Sequence, residues 1–233
     1  MEFHPEKCTV LTVSKKRNPV KWNYTLHGHI LAHETSSKYM GCTISNDLNW
    51  SEHINNTTNK ASRSLGFLHR NLHIKSRKIK EQAYKSLERP QLEYATTVWD
   101  PYHKNQINKT EEVQRRAARY VTGRHRNRSS VNTMLENLKW KSLQTRRKEF
   151  RLIMMYNIIN NMVAINSENH FTKPTRKSRH VQNHSYAIPS ATKDFRKWSF
   201  FVNTVKDWNN LPPDIVAAKS FESFKAQVSK LFE

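Results

Sequence analysis

Glycine is scarce, with four residues in 233. Neither GxxxxGK[ST] nor GxGxxG can be written anywhere in the chain, which excludes P-loop and dinucleotide-binding chemistry of the Gly-rich-loop kind. Cysteine is scarcer still. Cys8 and Cys42 are too few for a disulfide framework or a four-cysteine zinc site. Acidic residues are outnumbered, 19 against 40 Lys and Arg. Only Asp47, Asp100, Asp194, Asp207 and Asp214 are aspartates, and none adjoins another. Two-metal phosphoryl transfer needs converging carboxylates, which this spacing does not offer. No apolar run approaches the roughly 18 residues that span a bilayer. The opening MEFHPEKC lacks the charged-then-apolar order of a secretory leader. These absences point to an intracellular, reduced, soluble chain, without deciding between nucleus and cytoplasm.

What is present is positive charge and aromatic bulk. The formal net charge is +21 and the isoelectric point is about 10.1. Six Trp, ten Phe and eight Tyr argue against a disordered basic tail, because they bury enough surface to offset ordering entropy. Residues 101–163 hold fourteen basic and four acidic groups, so a polyanion would be drawn there first. Nucleic acid is the leading partner class and an anionic membrane surface the second.

Periodicity separates a small β region from a helical remainder. Lys7 to Val13, the alternation Trp22, Tyr24, Leu26, and Tyr39 to Ile44 read as strands, broken at Asn18-Pro19 and Gly28. From Trp50 the period becomes helical, with Ile54, Ala61, Leu65, Leu68 and Leu72 on one stripe and Ser51 as a cap. A second helix starts near Ser76, and Pro90 is expected to kink or break it. Leu92 to Trp99 continues as helix up to Asp100-Pro101. A third runs from about Lys104 to Thr122, with Gly123 in the C′ position. Ser130 caps a short helix with Met134, Leu135 and Leu138 inward. Ser142 caps a longer one with Leu143, Phe150, Ile153, Met154 and Ile158 inward. Residues 164–192 read as a basic linker. Trp198, Phe201, Val202, Val205 and Trp208 then form a stripe ended by Pro212-Pro213, and Ser220 caps Phe221 to Leu231.

Few residues suggest chemistry. Glu111-Glu112 is the single adjacent acidic pair, and neighbours on a helix point about 100° apart, so a solvated turn is the simpler account. His27, His29 and His33 fit no standard zinc spacing. Cys8 and Cys42 sit among Val and Ile as small core residues. No GxSxG elbow exists. No cofactor is implied. The arginines are the better lead. Arg115, Arg116 and Arg119 lie on the third helix, and Arg115 and Arg119 share a face opposite Ala117 and Val121. Arg124, Arg126 and Arg128 follow in the next loop. Arg146, Arg147 and Arg151 form a further group, with Lys139, Lys141 and Lys148. Guanidinium groups suit bidentate phosphate contact and give salt-sensitive, sequence-blind affinity. The tryptophans read mostly as core, Trp99 and Trp208 packing at helix ends.

Six segments in order carry a resemblance. They are FHPEKCTVL, YMGCTISNDLNWSEHI, KASRSLGFLHRNL, AYKSLERPQLEYATTVWDPY, INKTEEVQRRAARYV and SFFVNTVKDWNNLPPDIVAAKSFESFKAQV. Together they resemble the C-terminal part of reverse transcriptases, RNA-directed DNA polymerases, of jockey- and CR1-type non-LTR retrotransposons, over nearly the whole chain. The resemblance implies that Phe3 to Val13 is the end of the palm. Tyr39, Met40 and Gly41 would match the turn near the primer end, and residues 50–123 would be the thumb that follows template and primer. The family's catalytic Asp-Asp pair would lie upstream of FHPEKC, and no such dipeptide occurs here.

The combined expectation is an α+β, mostly α fold. It has a palm-end β region over 1–49, a thumb-like helical region over 50–123, a helical extension over 124–163, a basic linker over 164–192 and C-terminal helices over 193–233. Functionally it is a truncated, mobile-element polymerase fragment that is not itself an enzyme. It binds RNA, DNA or their hybrid without sequence preference, does not involve a membrane, and is open to a longer retroelement protein acting in trans. Two alternatives stay open: a domesticated fragment that binds another protein through its apolar helices, and an inert pseudogene product.

Overall fold

Strands are confined to residues 9–45 and helices dominate everything after them, an α+β and mostly α architecture. The computed structural model describes residues 3–14, 16–20, 22–124, 130–175 and 184–232. The chain divides into two compact units, residues 1–59 and 60–233. The division falls inside α1 (Ser51–Asn71).

The first unit is built from three two-stranded pieces. β1 (Thr9–Leu11) pairs in parallel with β4 (Ala32–Glu34). β2 (Thr25–Leu26) and β3 (His29–Ile30) form a hairpin, as do β5 (Ser36–Tyr39) and β6 (Cys42–Ser45). Both hairpins use a two-residue loop with positive φ at each position, His27-Gly28 and Met40-Gly41, the twist-matched geometry for tight connections. The run Tyr39 to Ile44, read above as one strand, is therefore cut by a turn after its first residue. The first turn of α1 is fastened to β6: the Thr43 N–H donates to His53 Nδ1 at 3.1 Å, both residues being buried. Burial lowers the His53 pKa, which keeps this acceptor nitrogen neutral. Cys42 is buried and its thiol is pushed up by desolvation, as suits a small core residue.

The second unit holds the later part of α1, then α2 (Arg77–Ala83), α3 (Arg89–Glu93), α4 (Lys104–Thr122), α5 (Val131–Leu138) and α6 (Leu143–Ile159). The last four helices are α7 (Asp194–Lys197), α8 (Phe200–Asn209), α9 (Pro213–Val216) and α10 (Phe221–Leu231). One core cluster joins Leu65 and Leu68 of α1 to Ala117, Tyr120 and Val121 of α4 and Met134 and Leu138 of α5. Another gathers Leu152, Met155 and Ile158 of α6 against Val205 and Trp208 of α8 and Phe224 and Val228 of α10. Trp99 and Trp208 are both fully buried.

Pro90 does not break the helical path. Its ring lacks a donor and would press on the carbonyl one turn back. The chain widens into a π-helical turn over Tyr84–Glu88, with the Arg89 N–H reaching back to the Tyr84 carbonyl, and continues as α3. Helix then ends at Glu93 rather than Trp99. Ala95 takes a positive φ, and the Trp99 indole N–H closes the turn on the Tyr94 carbonyl at 2.7 Å.

α4 ends as its sequence predicts, with Gly123 in the left-handed region at φ 67°. The N-terminus of α6 is capped twice. Ser142 Oγ accepts from Thr145 N–H at 3.0 Å, and the carboxylate of Glu111 accepts from Gln144 N–H at 2.8 Å. Glu111 is thus buried as a cap for a neighbouring helix rather than solvated, while Glu112 is exposed. The described ends of the stretch 164–192 are held on α8. Phe171 is buried, and Tyr186 exchanges backbone bonds of 2.9 and 2.8 Å with the Asn209 side chain. Residues 176–183 of that stretch lie outside the described residues.

Candidate nucleic-acid interface

Two helices of the second unit lay a cationic groove between them. On α1, Ser62, Leu65, Gly66 and His69 recur at the spacing that places side chains on one face. On α4, Arg116, Arg119 and Tyr120 face them, and together these residues line a cleft of about 270 Å³. Gly66 keeps it open. A Cβ there would meet only the end of Arg70, at 3.3 Å from Nη1, so the small residue leaves width rather than relieving a backbone clash.

The walls are positioned by hydrogen bonds. Arg116 Nη2 donates to Ser62 Oγ at 2.7 Å. The Tyr120 hydroxyl donates to the Leu68 carbonyl at 3.2 Å, tying α4 to the last turn of α1. His69 and Tyr120 rings lie 5.7 Å apart, and Lys80 Nζ stands 5.1 Å from the Tyr120 centroid. Arg115 is exposed beside Arg119, which is half-buried, and Arg124 is exposed just beyond Gly123. None of Arg115, Arg116, Arg119 and Arg124 has a carboxylate within ion-pair distance among the described residues. Arg126 and Arg128 lie outside the described residues.

The third arginine group has a different role. Arg147 is 1% exposed, and its Nε donates to Asp100 Oδ1 at 2.9 Å. Arg151 is 6% exposed and bridges Asp100 and Asp207, the latter at 2.7 Å. Arg146 grips Glu93 through Nε and Nη2. The sequence reading sets these three residues against a polyanion, and the structure corrects it. They face inward because α6 is surrounded on several sides, and its arginines find acids brought in from α3, the Asp100 loop and α8. The inward set of α6 is accordingly Leu143, Arg147, Arg151, Leu152, Met155 and Ile158, with Phe150, Ile153 and Met154 half-buried. Burial lowers the Arg147 pKa to about 10, so it still carries its charge at neutral pH.

This pairing sharpens the surface field. Glu81 is engaged with Lys85 and Trp140, Glu93 with Arg146 and Arg89, and Glu149 with Lys141. Glu88 is wholly buried in the π-helical turn, and neither of its oxygens has a hydrogen-bond partner. Desolvation pushes its pKa up to about 8 against the pull of Arg116. At pH 7 it is mostly protonated and leaves the charge of Arg116 uncancelled.

Tyr39, Met40 and Gly41 form the exposed turn of the β5–β6 hairpin in the first unit, with Tyr39 and Met40 largely open to solvent. His33 Nε2 lies 2.9 Å from the Trp22 carbonyl. Among the described residues no group of three or more His, Cys, Asp or Glu is placed to hold a metal ion, and no helix is long and apolar enough to cross a membrane. Sequence reasoning found the α4 arginines but missed the opposite wall. The signal for it was the spacing of Ser62, Gly66 and His69 within KASRSLGFLHR, a stripe with a small residue at its centre.

No family model, curated protein or solved structure matches the chain.

Proposed function

We propose that this chain is a nucleic-acid-binding fragment of the non-LTR reverse transcriptase kind. Its helical second unit acts as a thumb-like body that grips the backbone of RNA, DNA or a hybrid duplex without reading sequence. The observation that carries this is the α1/α4 groove, where Arg116 and Arg119 stand with Arg115 beside them and no acid partner, while the arginines of α6 are bound internally. Phosphates would meet guanidinium groups held on rigid helices, the arrangement suited to backbone contact. The six-segment resemblance supports the same reading.

In this reading the chain binds but does not polymerise. Asp100 and Asp207 converge, yet both are joined to Arg151, so a guanidinium occupies the space a catalytic metal ion would need. The test is retention of a labelled RNA–DNA hybrid as ionic strength rises. Replacing Arg115, Arg116 and Arg119 by Ala is expected to lower the log–log slope of affinity against salt, by about one unit for each arginine that neutralises a phosphate. Retention no better than that of a neutral control protein at modest salt overturns the proposal.

A second reading has its own support. Leu87, Tyr94 and Val98 are each more than half exposed within one short stretch of chain, an apolar surface suited to a protein partner. Partner capture insensitive to the three Arg→Ala changes would favour it.

A further inference from the structure

A second cleft lies where the loop entering α4 meets α6, α8 and Phe232. It encloses about 480 Å³, within the size range of small-ligand sites. One wall is aromatic. Tyr102 and Trp198 stack with planes 3° apart and centroids 5.5 Å apart. Trp198, expected in the apolar stripe of α8, instead sits half-buried between α7 and α8 and lines this opening. Gln144 and Asn203 add amides that both donate and accept.

The floor is charged but balanced toward the positive. Arg151 is held between Asp100 and Asp207, and Lys148 Nζ lies 3.0 Å from Asp207 Oδ1. With Arg147 these groups sum to one net positive charge, so the two carboxylates are neutralised and do not repel an anion. Arg151 Nε is buried without a hydrogen-bond partner. Around the rim, Lys197 Nζ and Lys206 Nζ stand 5.5 and 5.9 Å from the Trp198 ring centroid, and Lys193 and Arg196 are exposed nearby. Asp194 is the acidic residue on the same short helix.

We infer that this cleft receives one unpaired nucleotide of a single strand, its base against the Tyr102–Trp198 wall and its flanking phosphates on Lys148, Lys197 and Lys206. An aromatic platform bordered by cations is the combination that holds single strands without sequence preference, since every base has a face to stack. A bare anion site would not need the aromatic wall, and an apolar ligand would not need the lysines. The inference rests on the nucleic-acid reading above but concerns a different surface from the α1/α4 groove.

The test measures anisotropy of a labelled short oligothymidylate and of a blunt RNA–DNA hybrid with the full chain. Trp198→Ala is expected to weaken the single strand on the order of tenfold and the hybrid by less than about twofold, with Trp198→Phe close to wild type. Unchanged single-strand affinity in Trp198→Ala, with hybrid binding intact, overturns the cleft and leaves the groove standing. Failure of the wild type to bind either probe overturns both. If Trp198→Ala does not fold, photo-crosslinking of an iodouracil-substituted strand to the wild type decides. Adducts on the Tyr102 or Trp198 peptides are expected, and adducts confined to α1 and α4 overturn the inference.

Discussion

Arg147 and Asp100 form an ion pair at 2.9 Å in which the guanidinium is almost wholly withdrawn from water. Removing one partner of such a pair strands the other charge in a poorly solvated site. Arg147→Ala is expected to destabilise the second unit by about 3–5 kcal/mol, and Arg147→Met by less, because it refills the volume and Asp100 keeps Arg151. Urea midpoints compared at constant m-value check this. Equal destabilisation in the two variants would mean that charge, not packing, sets the whole cost.

Glu88 gives a pH signature. Its folded pKa is raised to about 8 from an ordinary 4.5, so the native state binds more protons than the unfolded state between those values. Stability contributed by this residue is present below pH 4.5 and is lost as pH rises to 8, at up to roughly 1.4 kcal/mol per pH unit. Glu88→Gln is expected to remove that slope and to be more stable than wild type at pH 8. His53 titrates in an overlapping range but in both proteins, so the difference between them isolates Glu88. Parallel stability curves would show that Glu88 finds a partner in solution.

Gly66 sits inside α1 with room for a methyl group. Gly66→Ala is expected to raise thermal stability by roughly 0.5–1 kcal/mol through helix propensity alone. Gly66→Leu would instead fill the groove floor. Weakened hybrid binding in the Leu variant, with folding retained by circular dichroism, would place the ligand between α1 and α4.

The double cap of α6 predicts coupling. Ser142→Ala should cost about 0.5–2 kcal/mol and Glu111→Ala about 1–3 kcal/mol. The double variant should cost less than the sum, because both changes fray the same helical turn. Strict additivity would show that the two caps act on independent segments.

Much of the frame was legible because local signals decided it. The stripe of Val113, Ala117 and Val121 with Gly123 behind it fixed α4, and Ser142 and Ser220 both cap through their side chains. What was not legible depended on distant partners. Nothing near Arg147 or Arg151 announces Asp100 and Asp207, so the inward face of α6 could not be told from a solvated one. The β5–β6 turn was hidden because Met40, an ordinary residue, takes a left-handed conformation that the hairpin imposes. The groove needed two helices to meet, and sequence spacing gives only one wall at a time.

The carboxylates of Asp100, Asp207 and Glu93 are locked against arginines away from bulk water, whereas Arg115 and Arg124 face it. Mobile ions quench the second kind of charge far more than the first, since at molar ionic strength an exposed field dies within about 3 Å. Brine should therefore strip a polyanion from the outside while leaving the scaffold folded, a built-in separation between what grips cargo and what keeps shape.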